Sequence, residues 1–210
     1  MTSRRLEILY ATTRLVWINK PAGLLSVPGK GADKADCVVA RVAARFGWAR
    51  ETHRLDQETS GVMLVALDPD AHRMLSRQFR ERGPEKEYEA IVAGRMEAEE
   101  GTIDLPMRAD IERRPIQIID HEHGKAALTR WEVIDRESER TRLRLRPHTG
   151  RSHQLRVHLA ALGHPILGDS LYADEDARVA ADRMLLHATR LVVTDPGDGE
   201  RVAVDSPAPF

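Results

Sequence analysis

Val62-Met63-Leu64-Val65-Ala66-Leu67 is an unbroken apolar run of six residues, and it limits what this chain can become more than any other stretch. With no polar position in it, neither flank can face water for long. Bounded by Thr59-Ser60-Gly61 before and Asp68-Pro69 after, it suits a strand covered on both faces. Periodicity alone fits a short buried helix equally; the flanking turn signals favour the strand. A doubly covered strand needs neighbours and layers above and below it. Residues 14–19, 86–94 and 140–146, and the stretch starting at Met184, read as further strands.

Helical signals lie between these strands. Asp36 stands where an N-cap belongs for a helix with Val38, Val39, Val42 and Phe46 on one face and Gly47 as its stop. Asp68-Pro69 opens a second helix, whose inward stripe is Ala71, Met74, Leu75, Gln78 and Phe79 and which Gly83-Pro84 ends. Ser152 is placed to cap a third, with Leu155, Leu159 and Leu162 inward and Gly163 at its end, and Asp174 to cap a short fourth. The residues by themselves therefore support a mixed α/β (α+β) chain.

Length and composition set the outer bounds. At 210 residues, with 41% apolar and 31% charged residues, the chain fits one large or two small globular domains. No apolar stretch approaches the ~18 residues of a membrane span, and the opening residues lack the hydrophobic core of a signal peptide. A single cysteine, Cys37, has no partner for an internal disulfide, and a reducing cytoplasm is the simplest compartment. The net charge of −1 means that any nucleic-acid contact must come from a local patch. Strand alternation puts Arg140, Arg142, Arg144 and Arg146 on one face and Leu143 and Leu145 on the other. That face reads either as an RNA-facing stripe or, with more weight, as a solvated face paired with acidic residues. His121-Glu122-His123 lacks the further ligands of a metal pattern, and His148, His153 and His158, five apart, share no helical face.

Asp56 sits on the approach to the apolar strand. Beside Thr, Ser and Gly, a lone Asp is ordinarily a turn residue accepting backbone N–H groups; a loop held by a rigid strand is also where catalytic residues concentrate. The full string separates these readings. His53-Arg54-Leu55-Asp56, two residues, Thr59-Ser60-Gly61 and an apolar strand resemble the signature of the RluA-type pseudouridine synthases. So do Asn19-Lys20-Pro21-Ala22-Gly23-Leu24, Lys86-Glu87-Tyr88-Glu89-Ala90, Gly150-Arg151-Ser152-His153-Gln154-Leu155-Arg156 and Gly163-His164-Pro165-Ile166-Leu167-Gly168-Asp169. The resemblance runs from Ile18 to about Ala188. Asp195-Pro196 departs from the family's His-Pro, at a peripheral turn.

This resemblance implies the pseudouridine synthase fold: a long, largely antiparallel mixed sheet with flanking helices and a central catalytic cleft. It implies one catalytic domain over residues 1–210, without a preceding S4 RNA-binding domain. The reaction detaches uracil from its ribose at N1, turns it and rejoins it through C5, and its balance needs no cofactor, group donor or metal. Asp56 is then the catalytic carboxylate, Tyr88 lies beside the base, and Arg156 pairs with the carboxylate. A fixed cation there opposes the rise in pKa that desolvation would cause. Arg54 is expected to fill the space left by the flipped nucleotide, with His53, Arg151, Arg113 and Arg114 as further RNA contacts. The implied partners are 23S ribosomal RNA and the anticodon stem-loop of transfer RNA, bound by a monomer with no membrane contact. The alternatives are a non-catalytic RNA-binding ribosome assembly factor, a family enzyme acting on transfer RNA only, and an enzyme acting on free nucleosides.

Overall fold

A computed structural model describes residues 6–31 and 34–210; the basic start of the chain, read above as lacking a signal peptide, lies outside the described residues. The chain divides into two compact units, one running up to Lys86 and including His187–Pro209, the other comprising Glu87–Leu186 with Phe210. None of the described helices is long and apolar enough to cross a membrane.

The first unit contains β1 (Glu7–Ala11), β2 (Leu15–Lys20), α1 (Val38–Phe46), β3 (Arg50–Glu51), β4 (Ser60–Ala66), α2 (Pro69–Arg80), β11 (Leu186–Thr194, whose first residue belongs to the second unit) and β12 (Arg201–Asp205). The apolar run is β4, and every residue of that strand is buried. It lies between β2, antiparallel from Lys20↔Gly61 to Leu15↔Ala66, and β11, parallel at His187↔Ser60 and Ala188↔Gly61. Val62, Leu64 and Ala66 join Leu15, Trp17, Leu191 and Val193 in a core closed by Ala71 and Leu75 of α2. Full burial of a Leu64 or Leu75 side chain contributes about 2 kcal/mol. Gly61 permits the parallel pairing: its φ is +112°, and a Cβ there would stand 2.2 Å from the Ala188 carbonyl oxygen.

The second unit contains β5 (Glu85–Ala93, whose first two residues belong to the first unit), β6 (Glu100–Asp104), β7 (Met107–Ala109), β8 (Gln117–Ile119), β9 (Leu128–Arg136), β10 (Arg140–Pro147), α3 (Gln154–Ala161) and α4 (Glu175–Val179). Its hydrogen-bonded order is β5-β10-β9-β6, antiparallel throughout. Leu143 and Leu145 face a core with Ala90, Val92, Trp131, Leu155, Leu159, Ile166 and Met184. The arginines of β10 are ion-paired: Arg142 with Glu89 at 2.9 Å, Arg144 and Arg146 with Glu87 at 3.2 and 3.0 Å, and Arg140 with Glu137 at 2.8 Å. The alternation is as expected, and the face is an ion-paired sheet surface. β7 and β8 form a separate two-stranded hairpin whose Met107 and Ile119 pack with Val157 of α3 and with Tyr172.

Among the described residues strands outnumber helices, and of their strand pairs within each unit β4 with β11 is the parallel one. This is the mixed, largely antiparallel α/β class expected from the sequence. Local signals at α2 and α4 hold: Asp68 caps Ala71 N–H at 2.8 Å with Pro69 in the first turn, and Asp174 caps Ala177 N–H at 2.9 Å. Two caps differ. For α1 the cap is Cys37, whose Sγ accepts from Ala40 N–H at 3.4 Å, while the Asp36 carboxylate clasps Arg41 at 2.7 and 2.6 Å. Cys37 is held extended by a bridge to Leu25, and this sets the helix start one residue later. For α3 the cap is His153, in the left-handed region at φ 56°, in place of Ser152. Residues Gln154 to Leu159 of α3 are all buried, so a single apolar stripe does not describe it. Phe46, Met74 and Leu162, read as inward, are exposed.

Candidate active site

In the first unit the site is a loop clamped at both ends. After β3, Thr52 Oγ1 donates to the Leu64 carbonyl at 2.9 Å, and His53 Nε2 accepts the Leu64 N–H at 3.1 Å. The His53 ring stacks on Phe79, with centroids 4.7 Å apart. Burial, reinforced by Lys86, pushes its pKa down to about 3, so the ring is neutral and carries its proton on Nδ1. His53 is thus a brace between the loop, β4 and α2. Arg54 is exposed, and Leu55 turns back into the core.

Asp56 follows, half-buried, with both neighbours fixed. On one side, Ser26 Oγ donates to the Leu55 carbonyl at 2.6 Å and accepts the Leu55 N–H at 3.1 Å. On the other, the Gln57 carbonyl accepts from Gly23 N–H at 2.9 Å and from Lys20 Nζ at 2.8 Å. Lys20 is fully buried and also donates to the Pro21 and Leu24 carbonyls at 3.0 and 2.6 Å. Three carbonyl dipoles around the ammonium offset part of its desolvation. Thr59 N–H closes the turn onto the Asp56 carbonyl at 3.2 Å. The segment from Lys20 to Ser26, part of which carries the family resemblance, holds the backbone on each side of Asp56. Ser60 and His187, also missed by sequence reasoning, link the loop exit to β11 through a buried 2.7 Å bond, and His187 Nε2 reaches the Ser206 carbonyl at 3.1 Å.

The second unit contributes Tyr88, half-buried on β5 opposite Leu145 and packed on the core. Arg156 lies on α3, 3% exposed, and the fully buried Asp169 grips it with two hydrogen bonds, Nε–Oδ2 at 2.7 Å and Nη2–Oδ1 at 2.6 Å. Asp169 Oδ1 also accepts the N–H groups of Leu171 and Tyr172 at 2.9 and 3.2 Å. The Tyr172 ring covers one face of the guanidinium, 5.0 Å from Cζ. A bidentate, face-covered guanidinium is a cation of fixed position and orientation.

The string before Arg156 is a hydrogen-bonded frame. Gln154 Oε1 accepts from Thr149 Oγ1 at 2.7 Å and Arg151 N–H at 3.0 Å, and its Nε2 donates to the Leu128 carbonyl and Thr129 Oγ1, both at 3.0 Å. Arg151 is half-buried, with Nε on the Ala126 carbonyl at 3.1 Å. Arg113 is paired with Asp110 at 2.8 Å, and Arg114 is exposed, both at the tip of the β7–β8 hairpin. The structure thus gathers His53, Arg54 and Asp56 on one loop, and Arg151 and Arg156 around the start of one helix.

A sequence model of the RNA pseudouridylate synthase family matches residues 14–161. The chain belongs to this family. The synthase is 47% identical over 206 residues to the dual-specificity RNA pseudouridine synthase RluA of Haemophilus influenzae, covering 98% of this chain and 94% of that one. It is 48% identical, with the same coverage, to the protein of that name from Escherichia coli K12. Among solved structures it resembles human RNA pseudouridylate synthase domain containing 1, with TM-score 0.82 and 33% identity over 98% of this chain and 84% of the other. Human RNA pseudouridylate synthase domain containing 4 follows at TM-score 0.77 and 27% identity, over 97% and 88%. The synthase is therefore an isomerase that acts on RNA.

Proposed function

We propose that this synthase isomerises uridines in two RNAs, 23S ribosomal RNA and the anticodon stem-loop of transfer RNA, in the cytoplasm and as a monomer. Asp56 is its catalytic carboxylate, Tyr88 lies against the flipped base, and Arg156 is the fixed cation that keeps the carboxylate ionised away from water. The two units work as a single catalytic domain. The observation that carries the assignment is the double clamp on Asp56. Ser26 fixes the residue before it, and Lys20 with Gly23 fixes the residue after it, so the backbone that presents the carboxylate is held before substrate arrives. The near full-length likeness to dual-specificity relatives supports the choice of two RNAs.

Uracil stacked in RNA is out of reach of such a group, and extrusion costs on the order of a few kcal/mol. Arg54, exposed one residue before buried Leu55, is suited to occupy the vacated stack, because a guanidinium plane stacks on bases. Arg114, Arg113 and Arg151 are proposed to meet the phosphate backbone. No step consumes or supplies electrons, and both bonds broken and made belong to one nucleotide. The test uses purified protein without added cofactor and RNAs tritiated at uracil C5. Wild type should release tritium from both RNAs and Asp56→Asn from neither, with RNA binding retained. Release from transfer RNA alone would restrict the target, and binding without release by wild type would point to an assembly factor.

A further inference from the structure

Tyr172 belongs to none of the groups just assigned, yet it touches one of them, Arg156, and the carboxylate that grips it. Its ring lies over the Arg156 guanidinium, and its backbone N–H is held at 3.2 Å by the carboxylate that grips that guanidinium. At its far end the hydroxyl accepts the backbone N–H of Gln117 at 2.9 Å and shares a 2.6 Å bond with His153 Nδ1. Gln117 is the first residue of β8, where the hairpin loop ends.

That loop is internally stiff. Asp110 N–H bonds the Ile116 carbonyl at 2.9 Å, and the Asp110 carboxylate accepts from the N–H groups of Glu112 and Arg113 at 3.1 and 3.2 Å, as well as from the Arg113 side chain. Ile111 at the tip is 73% exposed beside exposed Arg114. The hairpin meets the α3 side through an apolar contact, Met107 and Ile119 on Val157, and through the polar contact of Gln117 with Tyr172. Both routes lead to the neighbourhood of Arg156, since Val157 is the next residue and Tyr172 covers its face.

We propose that Tyr172 is a positioning residue that couples engagement of RNA by the β7–β8 hairpin to the placement of the Arg156 guanidinium. An RNA backbone seated against Arg114 holds the hairpin against α3; the Gln117 N–H then fixes the Tyr172 hydroxyl, and the ring holds the guanidinium flat against Asp169. The proposal rests on the reading of Arg156 as part of the catalytic machinery. Its consequence is an energetic coupling between tip and site, which a double-mutant cycle measures directly.

The test compares wild type, Arg114→Ala, Tyr172→Phe and the double variant, as full chains, with an anticodon stem-loop tritiated at C5. Tritium release is followed at saturating enzyme in a single turnover, and RNA affinity is measured separately. Tyr172→Phe, which removes one oxygen, should lower the saturated rate about tenfold and leave RNA affinity within about twofold. Arg114→Ala should weaken affinity and lower the saturated rate, and the second effect should vanish in the Tyr172→Phe background. Effects on the saturated rate that multiply would overturn the coupling, as would a wild-type rate in Tyr172→Phe or a loss confined to affinity. If Tyr172→Phe does not fold, Gln117→Pro, at the first residue of β8, removes the backbone N–H that holds the same hydroxyl. It should lower the rate without changing affinity, and a wild-type rate there also overturns the proposal. Asp56→Asn runs in parallel: release by it refutes the catalytic reading itself, whereas no release with a wild-type rate in Tyr172→Phe refutes only the coupling.

Discussion

Replacing Asp169 with alanine leaves the Arg156 guanidinium, 3% exposed, without the carboxylate that holds two of its N–H groups. Removing one member of a buried ion pair typically costs about 3–5 kcal/mol, because the other charge remains desolvated. Asp169 also accepts the Leu171 and Tyr172 N–H groups, and each loss adds about 1 kcal/mol less whatever water recovers. The expected penalty is ~4–6 kcal/mol, a large share of the roughly 5–15 kcal/mol that holds a typical protein folded. With a urea dependence of about 2.5 kcal/mol per molar, the unfolding midpoint should fall by about 2 M. Urea denaturation followed by circular dichroism measures it. A second change, Arg156→Met in the alanine background, removes the desolvated guanidinium that Asp169 had gripped and should recover at least about 2 kcal/mol while leaving tritium release absent. A midpoint within about 0.4 M of wild type for Asp169→Ala, or no recovery in the double variant, would show that the pair does not behave as a buried charge couple.

Acid should destabilise the first unit through His53. Its folded pKa, about 3, lies below the ordinary histidine value, so the unfolded chain takes up a proton first as pH falls. Stability should therefore decline from about pH 6.5 downward, and His53→Gln should flatten the decline between about pH 6.5 and 5 in thermal unfolding. His158, lowered by burial in the second unit, adds to the same window and remains in that variant. Among the arginines, exposed Arg54 and paired Arg144 should separate. Arg54→Ala should weaken RNA binding and reduce the salt dependence of affinity by about one charge, whereas Arg144→Ala, which breaks only contacts to Glu87 and Glu132, should leave RNA affinity unchanged.

The patterns that proved readable in the sequence are those whose cause is short-range. The apolar run became β4 because no residue in it tolerates water. Asp68 and Asp174 cap because each carboxylate reaches an N–H three residues on. The alternation of β10 needed only the strand repeat. The cap of α1 failed because a partner from another segment, Leu25, holds Cys37 extended, and because the Asp36 carboxylate goes to the Arg41 side chain one turn along in place of a backbone N–H. Phe46 and Met74 carry the right period for an inward face, but period alone does not say how wide the covered face is.

The sequence by itself determined the mixed α/β class and the family, and it supplied the side chains we propose for the chemistry, since these follow from residue type and order along the chain. Tertiary structure alone decided what holds them. Ser26 to Leu55, Lys20 to Gln57, Ser60 to His187 and Arg156 to Asp169 are bonds between residues 13 to 127 positions apart. Any of the chain's many carboxylates, hydroxyls and carbonyls would satisfy such groups equally well on paper. Only the folded backbone removes that degeneracy, because it brings one partner within 3 Å and carries the rest away.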